Sequence, residues 1–216
     1  MSGFVPVFDI GDTLVPSRKF ASHVIEDELR QRNHQIVHDF DPDKFMMYDP
    51  SQIEQYLEKY DIDGDPRKLA HDCRERYLEA FEDLMMENGV FDLFAKCNRE
   101  FGTVGIISDN SVEAKNLMKK LLEEHEVDYD TIVVSEEIGV EKPSSEIFKA
   151  FTEKRERPPG EFVYIGNDAE VDSGALDAGM KYIWVTQFDT VNSSFEGPEI
   201  DELGFDKLRE VISNLE

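Results

Sequence analysis

The sequence predicts an α/β protein, a Rossmann-like parallel sheet core with an inserted α-helical cap. Three observations predict it. Five short runs rich in β-branched and aromatic residues, at 4–8, 103–107, 131–134, 162–165 and 182–185, each end in a polar turn. Apolar runs of that length are the pattern of strands buried on both faces. The later runs alternate with stretches of helical periodicity, and such alternation builds a parallel sheet with right-handed crossovers. Between the first run and the second lie about ninety residues, far beyond an ordinary crossover, and that stretch is helical in pattern almost throughout.

In chain order, residues 4–8 lead into the turn Asp9-Ile10-Gly11-Asp12. The insertion is set at 18–88, leaving 1–17 and 89–216 as the core domain. Within it, 21–32 place Ala21, Val24, Ile25 and Leu29 on one face, and 66–87 do the same with Leu69, Cys73, Tyr77, Ala80, Phe81 and Leu84. Asp41-Pro42, Asp49-Pro50 and Asp63-Gly64-Asp65-Pro66 supply the breaks. The length of the insertion argues for a cap over the strand ends rather than an outer layer of the core. Farther on, 112–124 present Leu117, Met118, Leu121 and Leu122, and 144–156 present Ile147, Phe148 and Phe151. A closing helix over 198–216 is expected to pack through Leu203, Phe205, Leu208, Val211, Ile212 and Leu215.

A chain of 216 residues holds one such core plus a modest insertion. Its charge is unusual: 48 Asp and Glu against 23 Lys and Arg give a net −25. A polyanionic surface repels nucleic acid and anionic membranes, so neither is an expected partner. Two settings fit that balance, a salt-rich cytosol that screens dense carboxylates and an ordinary one, and the first is favoured. Cys73 and Cys97 form no CxxC or Cys/His cluster, which fits small core hydrophobes in a reducing compartment. No basic segment precedes an apolar run at the start, and no stretch approaches a membrane span. Without a leader, Asn192-Ser193-Ser194 carries no weight as a glycosylation acceptor. A cytoplasmic protein is expected; nothing in the pattern specifies its oligomeric state.

Four polar clusters follow strands or open helices. They are Asp9-Ile10-Gly11-Asp12-Thr13, Ser108-Asp109-Asn110, Glu141-Lys142-Pro143-Ser144, and Gly166-Asn167-Asp168-Ala169-Glu170-Val171-Asp172, the last running on to Ala178-Gly179-Met180. In open parallel sheets ligands bind beyond the carboxyl ends of the strands, where these clusters fall. An Asp at the end of a buried strand is placed to attack phosphorus and form an aspartyl-phosphate; alone it could equally cap a helix. Lys142, read as opening a helix, opposes the helix dipole there. Neutralising Asp9 and a transferring phosphoryl group is a reason for it; a solvated surface Lys is the bland alternative. Ser108 offers a hydroxyl, and Asp109 and Asn110 offer amides, to phosphoryl oxygens; a strand-end cap is the alternative for Ser108. The five histidines are scattered. His34 and His38 lie four apart without a third ligand, and Met46-Met47 and Met85-Met86 read as packing.

In this order the clusters resemble the signature motifs of the haloacid dehalogenase-like hydrolases: a strand ending in DxDGT, a strand ending in Ser or Thr, a Lys before Pro, and GDxxxxD. The resemblance covers residues 4–185, and the insertion sits where that family carries a helical cap. It implies a phosphatase dependent on Mg2+ that hydrolyses a small phosphorylated metabolite through an aspartyl-phosphate at Asp9. It also implies metal ligation by the Asp9 carboxylate, the Gly11 carbonyl and an acid of the fourth motif. Here the sequence departs from the pattern, because Asn167 stands where the first Asp is usual. Asp168 is assigned to the metal with Asp172 as its second, water-mediated partner; Asn167 as a neutral ligand is the alternative and would bind more weakly.

Gly11 occupies the position of the family's general acid, a role worth roughly 10²–10⁴ in rate. Asp12 either reaches the leaving oxygen in its place or is a plain turn residue. Failing that, acyl or aryl phosphates, which depart unprotonated, or an acid from the cap would meet the need. Two other readings stay open: a phosphate-binding regulatory protein that has lost turnover, and a haloacid dehalogenase, whose halide leaves without a proton.

Overall fold

The computed structural model describes residues 3–31, 50–153, 155, 157–188 and 193–215. The stretch holding His34, His38, Met46, Met47 and Asp41-Pro42, and the residue Asn192, lie outside those residues. The chain divides into two compact units, 1–15 with 85–216, and 16–84.

The first unit is built on six parallel strands in the order β3-β2-β1-β4-β5-β6. They are β1 (Val5–Phe8), β2 (Val104–Ser108), β3 (Tyr129–Val134), β4 (Phe162–Gly166), β5 (Lys181–Val185) and β6 (Glu199–Ile200). β1, β2 and β4 are buried at every position, which is why their sequences carry no polar alternation. Pro6 lies in central β1, where its missing N–H would remove a ladder bond. Pairing with β2 is registered one residue later, from Val7 opposite Gly105. The order reverses direction between β1 and β4, so the crevice beyond their carboxyl ends is the topological switch point where such sheets bind ligands.

Helices flank the sheet. α5 (Val112–Glu124) starts at Ser111, whose hydroxyl accepts from the Ala114 amide at 3.1 Å, the usual N-cap bond. It buries Ala114, Met118, Leu121 and Leu122. α7 (Ser145–Thr152) buries Ile147, Phe148 and Phe151 against Val7, Phe162 and Tyr164 in one core cluster. Gly174, in the short helix α9 (Gly174–Asp177), lies so close to the Pro143 carbonyl that a Cβ there would sit 2.2 Å from its oxygen. Both free thiols, Cys73 and Cys97, are buried, and burial pushes the Cys97 thiol up to about 12.

Three expectations from the sequence differ. α4 (Val90–Phe101) was not foreseen, although it buries Val90, Phe91, Leu93, Phe94, Cys97 and Phe101 between Gly89 and Gly102. The closing stretch is not one helix: β6 adds to the sheet edge before α10 (Phe205–Ser213), which buries Leu208 and Ile212. α7 stops at Thr152, and Lys142 lies ahead of its N-cap, Ser144, rather than at a helix opening.

The second unit holds α1 (Ser17–Gln31), α2 (Pro50–Lys59) and nearly all of α3 (Pro66–Glu87). Asp65 caps α3 by accepting from the Arg67 and Lys68 amides, with Pro66 at the first helical position. Leu69, Cys73, Tyr77 and Phe81 are buried at helical spacing along it, together with Val24 and Leu29 of α1 and Ile53 and Leu57 of α2. The side chains of Ala21 and Ile25 lie outside the described residues. Ser17 Oγ and Tyr77 OH are hydrogen-bonded at 3.1 Å.

Candidate active site

Asp9 follows β1, and its amide donates to the Ile165 carbonyl of β4 at 2.9 Å. That bond fixes the turn at the switch point. The Asp9 carboxylate is only 7% exposed, and its Oδ2 lies 3.0 Å from Lys142 Nζ. Lys142 Nζ also donates to Asp172 Oδ1 at 2.7 Å and to Tyr164 OH at 3.1 Å. Its backbone amide donates to Asp109 Oδ1 at 3.1 Å. Lys142 therefore gathers Asp9 after β1, Tyr164 within β4 and Asp172 beyond it through its ammonium, and Asp109 after β2 through its backbone amide.

The electrostatics follow from burial. Desolvation works against the charge on Lys142, but the carboxylates of Asp172, Asp9 and Asp109 outweigh it and hold the ammonium above its ordinary pKa. For Asp172, desolvation is the largest influence and pushes its carboxyl above the usual range, with Lys142 opposing. Burial likewise raises Asp109 to about 6, again countered first by Lys142. Asp172 is fully buried beneath Gly166, where a Cβ would sit 2.2 Å from its Oδ2. Only glycine lets that carboxylate lie against the end of β4.

Ser108 ends β2, next to β1 in the sheet, and is 3% exposed. Asn110 shapes the turn that follows. Its side-chain oxygen accepts from the Ser111 amide at 2.9 Å and its carbonyl from the Glu136 amide at 3.2 Å. Asp12 is 3% exposed with φ 54°, and its amide donates to the Val15 carbonyl at 2.7 Å. A non-glycine residue in the left-handed region marks a constrained turn; Gly11 precedes it.

In the fourth cluster the two candidate ligands have different partners. Asp168 uses its Oδ1 to cap α8 (Ala169–Asp172), accepting from the Glu170 and Val171 amides at 3.0 and 3.3 Å. Asn167, by contrast, is 8% exposed, and its Oδ1 accepts from Thr13 Oγ1 of the Asp9 turn at 3.1 Å. Asn167, not Asp168, is the residue whose side chain joins the two loops of the switch point. Asp172 is committed to Lys142 and to the Asp168 amide, which donates to its Oδ2 at 2.9 Å. The site also contains groups that sequence reasoning missed. Tyr164 contacts Lys142, and Gln187 donates to the Thr13 carbonyl at 2.5 Å while accepting from the Leu203 amide at 2.9 Å.

Among the described residues no group of three or more His, Cys, Asp or Glu side chains is arranged to hold a metal. The candidate donors are all oxygens: the Asp9 carboxylate, the Gly11 carbonyl and the Asn167 amide oxygen. That chemistry fits a hard cation that keeps several waters, and excludes a soft one.

A reversed parallel sheet with a carboxylate, an ammonium and oxygen donors at its switch point defines an α/β enzyme with its chemistry at the carboxyl edge. The haloacid dehalogenase-like hydrolase profile matches residues 7–185, and the chain belongs to that family. A glyceraldehyde 3-phosphate phosphatase of Methanopyrus kandleri is 26% identical over 198 residues, covering 81% of this chain and 80% of that one. The protein of the same name from Pyrococcus furiosus is 25% identical over 223 residues, covering 97% and 91%. Among solved structures, the HAD-hydrolase YfnB from Bacillus subtilis, bound to magnesium, has a TM-score of 0.74 at 20% identity. The match covers 97% of this chain and 98% of that one. At that identity the likeness is one of fold.

Proposed function

We propose that this hydrolase is a phosphatase of a small phosphorylated metabolite, with Asp9 as the nucleophile. The observation that carries the reading is the buried Asp9–Lys142–Asp172 cluster at the switch point. Asp9 Oδ2 is held by Lys142, which leaves Oδ1 to attack phosphorus. The P–O bond to the leaving group breaks as the Oδ1–P bond forms, with the leaving oxygen taking a proton from water; a second water then cleaves the acyl phosphate, giving its proton to solvent and releasing inorganic phosphate and the Asp9 carboxylate. Lys142 neutralises charge passing from Asp9 to the phosphoryl oxygens. The Ser108 hydroxyl and the amides of Asp109 and Asn110, at the end of the neighbouring strand, serve the remaining phosphoryl oxygens. The relatives in Methanopyrus kandleri and Pyrococcus furiosus carry the name of a phosphatase for a three-carbon sugar phosphate, which supports a substrate of that size class.

Magnesium, present in the Bacillus subtilis hydrolase, is the fitting cation. Asp9, Gly11 and Asn167 would hold it, and bound there it would supply charge neutralisation to the phosphoryl group. With a neutral amide in the set, its affinity is expected to be modest. The helical unit, with boundaries near 18–88, serves as the cap that chooses the substrate. Among the described residues no helix is long and apolar enough to cross a membrane. A cytoplasmic location in a salt-rich cell fits the acidic surface.

The test is hydrolysis of para-nitrophenyl phosphate with and without Mg2+, in molar KCl, for the wild type and Asp9→Asn. Metal-dependent turnover that disappears in the variant supports the reading. Phosphate binding without turnover would favour instead a binding protein, for which Gly11 and Asn167 are the specific observations. Turnover of 2-haloacids without metal would favour a dehalogenase.

A further inference from the structure

An ammonium has three N–H donors and no acceptor. Lys142 turns them into the protein: Nζ donates to Asp172 Oδ1 at 2.7 Å and to Tyr164 OH at 3.1 Å, and forms an ion pair with Asp9 Oδ2 at 3.0 Å, a tripod of contacts. Two legs of this tripod are carboxylates from the family's motifs. The third is a phenol from the middle of β4, fully buried between the rings of Phe148, 5.0 Å away edge-on, and Tyr182 at 6.4 Å. Tyr164 gives its own proton to the Ile107 carbonyl of β2 at 3.0 Å; Asp172 Oδ1, at 3.4 Å, is the longer competitor. Burial first, then the charges of Asp172, Asp9 and Asp109, push the phenol well above its ordinary range, so that proton stays in place. The hydroxyl is thereby oriented, with a lone pair aimed at Lys142.

We propose that Tyr164 is a positioning residue that, through this oriented hydroxyl, fixes the Lys142 ammonium for the transferred phosphoryl group. The inference rests on the reading of Lys142 given above. When Asp9 becomes an acyl phosphate its oxygen loses charge, and the ion-pair leg of the ammonium passes from Asp9 to the phosphoryl oxygen. Asp172 and Tyr164 then hold the ammonium alone. Without the phenol the Asp172 contact would be the one leg left, and the ammonium would be free to turn about it. The demand on Tyr164 is therefore greatest in the transition state, which lowers kcat rather than raising KM.

Tyr164→Phe tests this, with Tyr182→Phe as the matched control. Tyr182 loses a hydroxyl from the same core, but that hydroxyl donates to the Gly166 carbonyl at 3.2 Å and not to Lys142. Both variants are assayed with para-nitrophenyl phosphate at saturating Mg2+, and the Lys142 side-chain 15N–1H signal is recorded. Tyr164→Phe is expected to reduce kcat about tenfold with KM within about twofold, as a small misplacement of a preorganised group does. Its ammonium signal should be lost to exchange, while Tyr182→Phe keeps both signal and rate. Equal losses in the two variants, or an effect on KM alone, overturn the proposal. If the wild type turns over nothing, the reading of Lys142 falls and the spectrum still decides. A signal protected in the wild type and lost only in Tyr164→Phe supports the tether; no difference refutes it.

Discussion

Replacing Gly166 by alanine is the sharpest perturbation of this site, because it adds one methyl and deletes no functional group. The new Cβ would lie 2.2 Å from Asp172 Oδ2, 2.6 Å from its Cγ and 3.0 Å from its Cβ, where ordinary contact begins at 3.4 Å. Gly166 does not have a positive φ, so the backbone accepts alanine and the contact alone is tested. Asp172 has no solvent to move into, being fully buried and held by the Asp168 amide and Lys142. It must shift by about 1 Å, and in a preorganised site a displacement of that size lowers the rate on the order of a hundredfold, or about 3 kcal/mol in the barrier. Overpacking of this kind destabilises by about 1–3 kcal/mol, which in a chain of this size is a drop of several degrees, roughly 2–4 °C per kcal/mol, in melting temperature. The assay is kcat for para-nitrophenyl phosphate at saturating Mg2+, with a melting curve beside it. A Gly166→Ala protein with a lowered melting temperature but wild-type kcat would show that the placement of Asp172 does not govern Lys142. Wild-type values of both would refute the contact itself.

Two further outcomes follow from charge and backbone geometry. The net charge of −25 repels itself in dilute buffer, so the melting temperature should rise with KCl over the molar range as screening shortens that repulsion; a flat or falling curve would refute adaptation to salt. Asp12→Asn keeps a residue that tolerates the left-handed turn while deleting the acid. It is expected to leave kcat for both aryl and alkyl phosphates within about twofold, whereas a selective loss of alkyl phosphate turnover, of order 10²–10⁴, would assign Asp12 the general acid's work.

How far the site could be read in advance depended on whether each signal was local. The strands showed in the sequence because β1, β2 and β4 are buried on both faces, and α3 and α5 showed because their buried apolar residues recur at helical spacing. α4, which the sequence reading did not anticipate, carries an equally local signal, a strong apolar face between Gly89 and Gly102. β6 is two residues long and exists through pairing with β5, which no local pattern encodes. At the site the same division holds. Asp9 and Lys142 stand in motifs, but which of Asn167 and Asp168 turns toward the Asp9 loop depends on tertiary contacts after β4. Asp168 Oδ1 makes an Asx-type cap on the Glu170 and Val171 amides, while Asn167 Oδ1 accepts from Thr13. The cap itself is local, an Asp with the amides two and three residues on. Tyr164 had no local signal at all, since its partners Lys142 and Ile107 are 22 and 57 residues away. Motifs of this kind mark the residues that touch the reacting atoms. What holds those residues still is written in the packing of the sheet, so the departures at Gly11 and Asn167 have to be judged against that support as well as against the pattern.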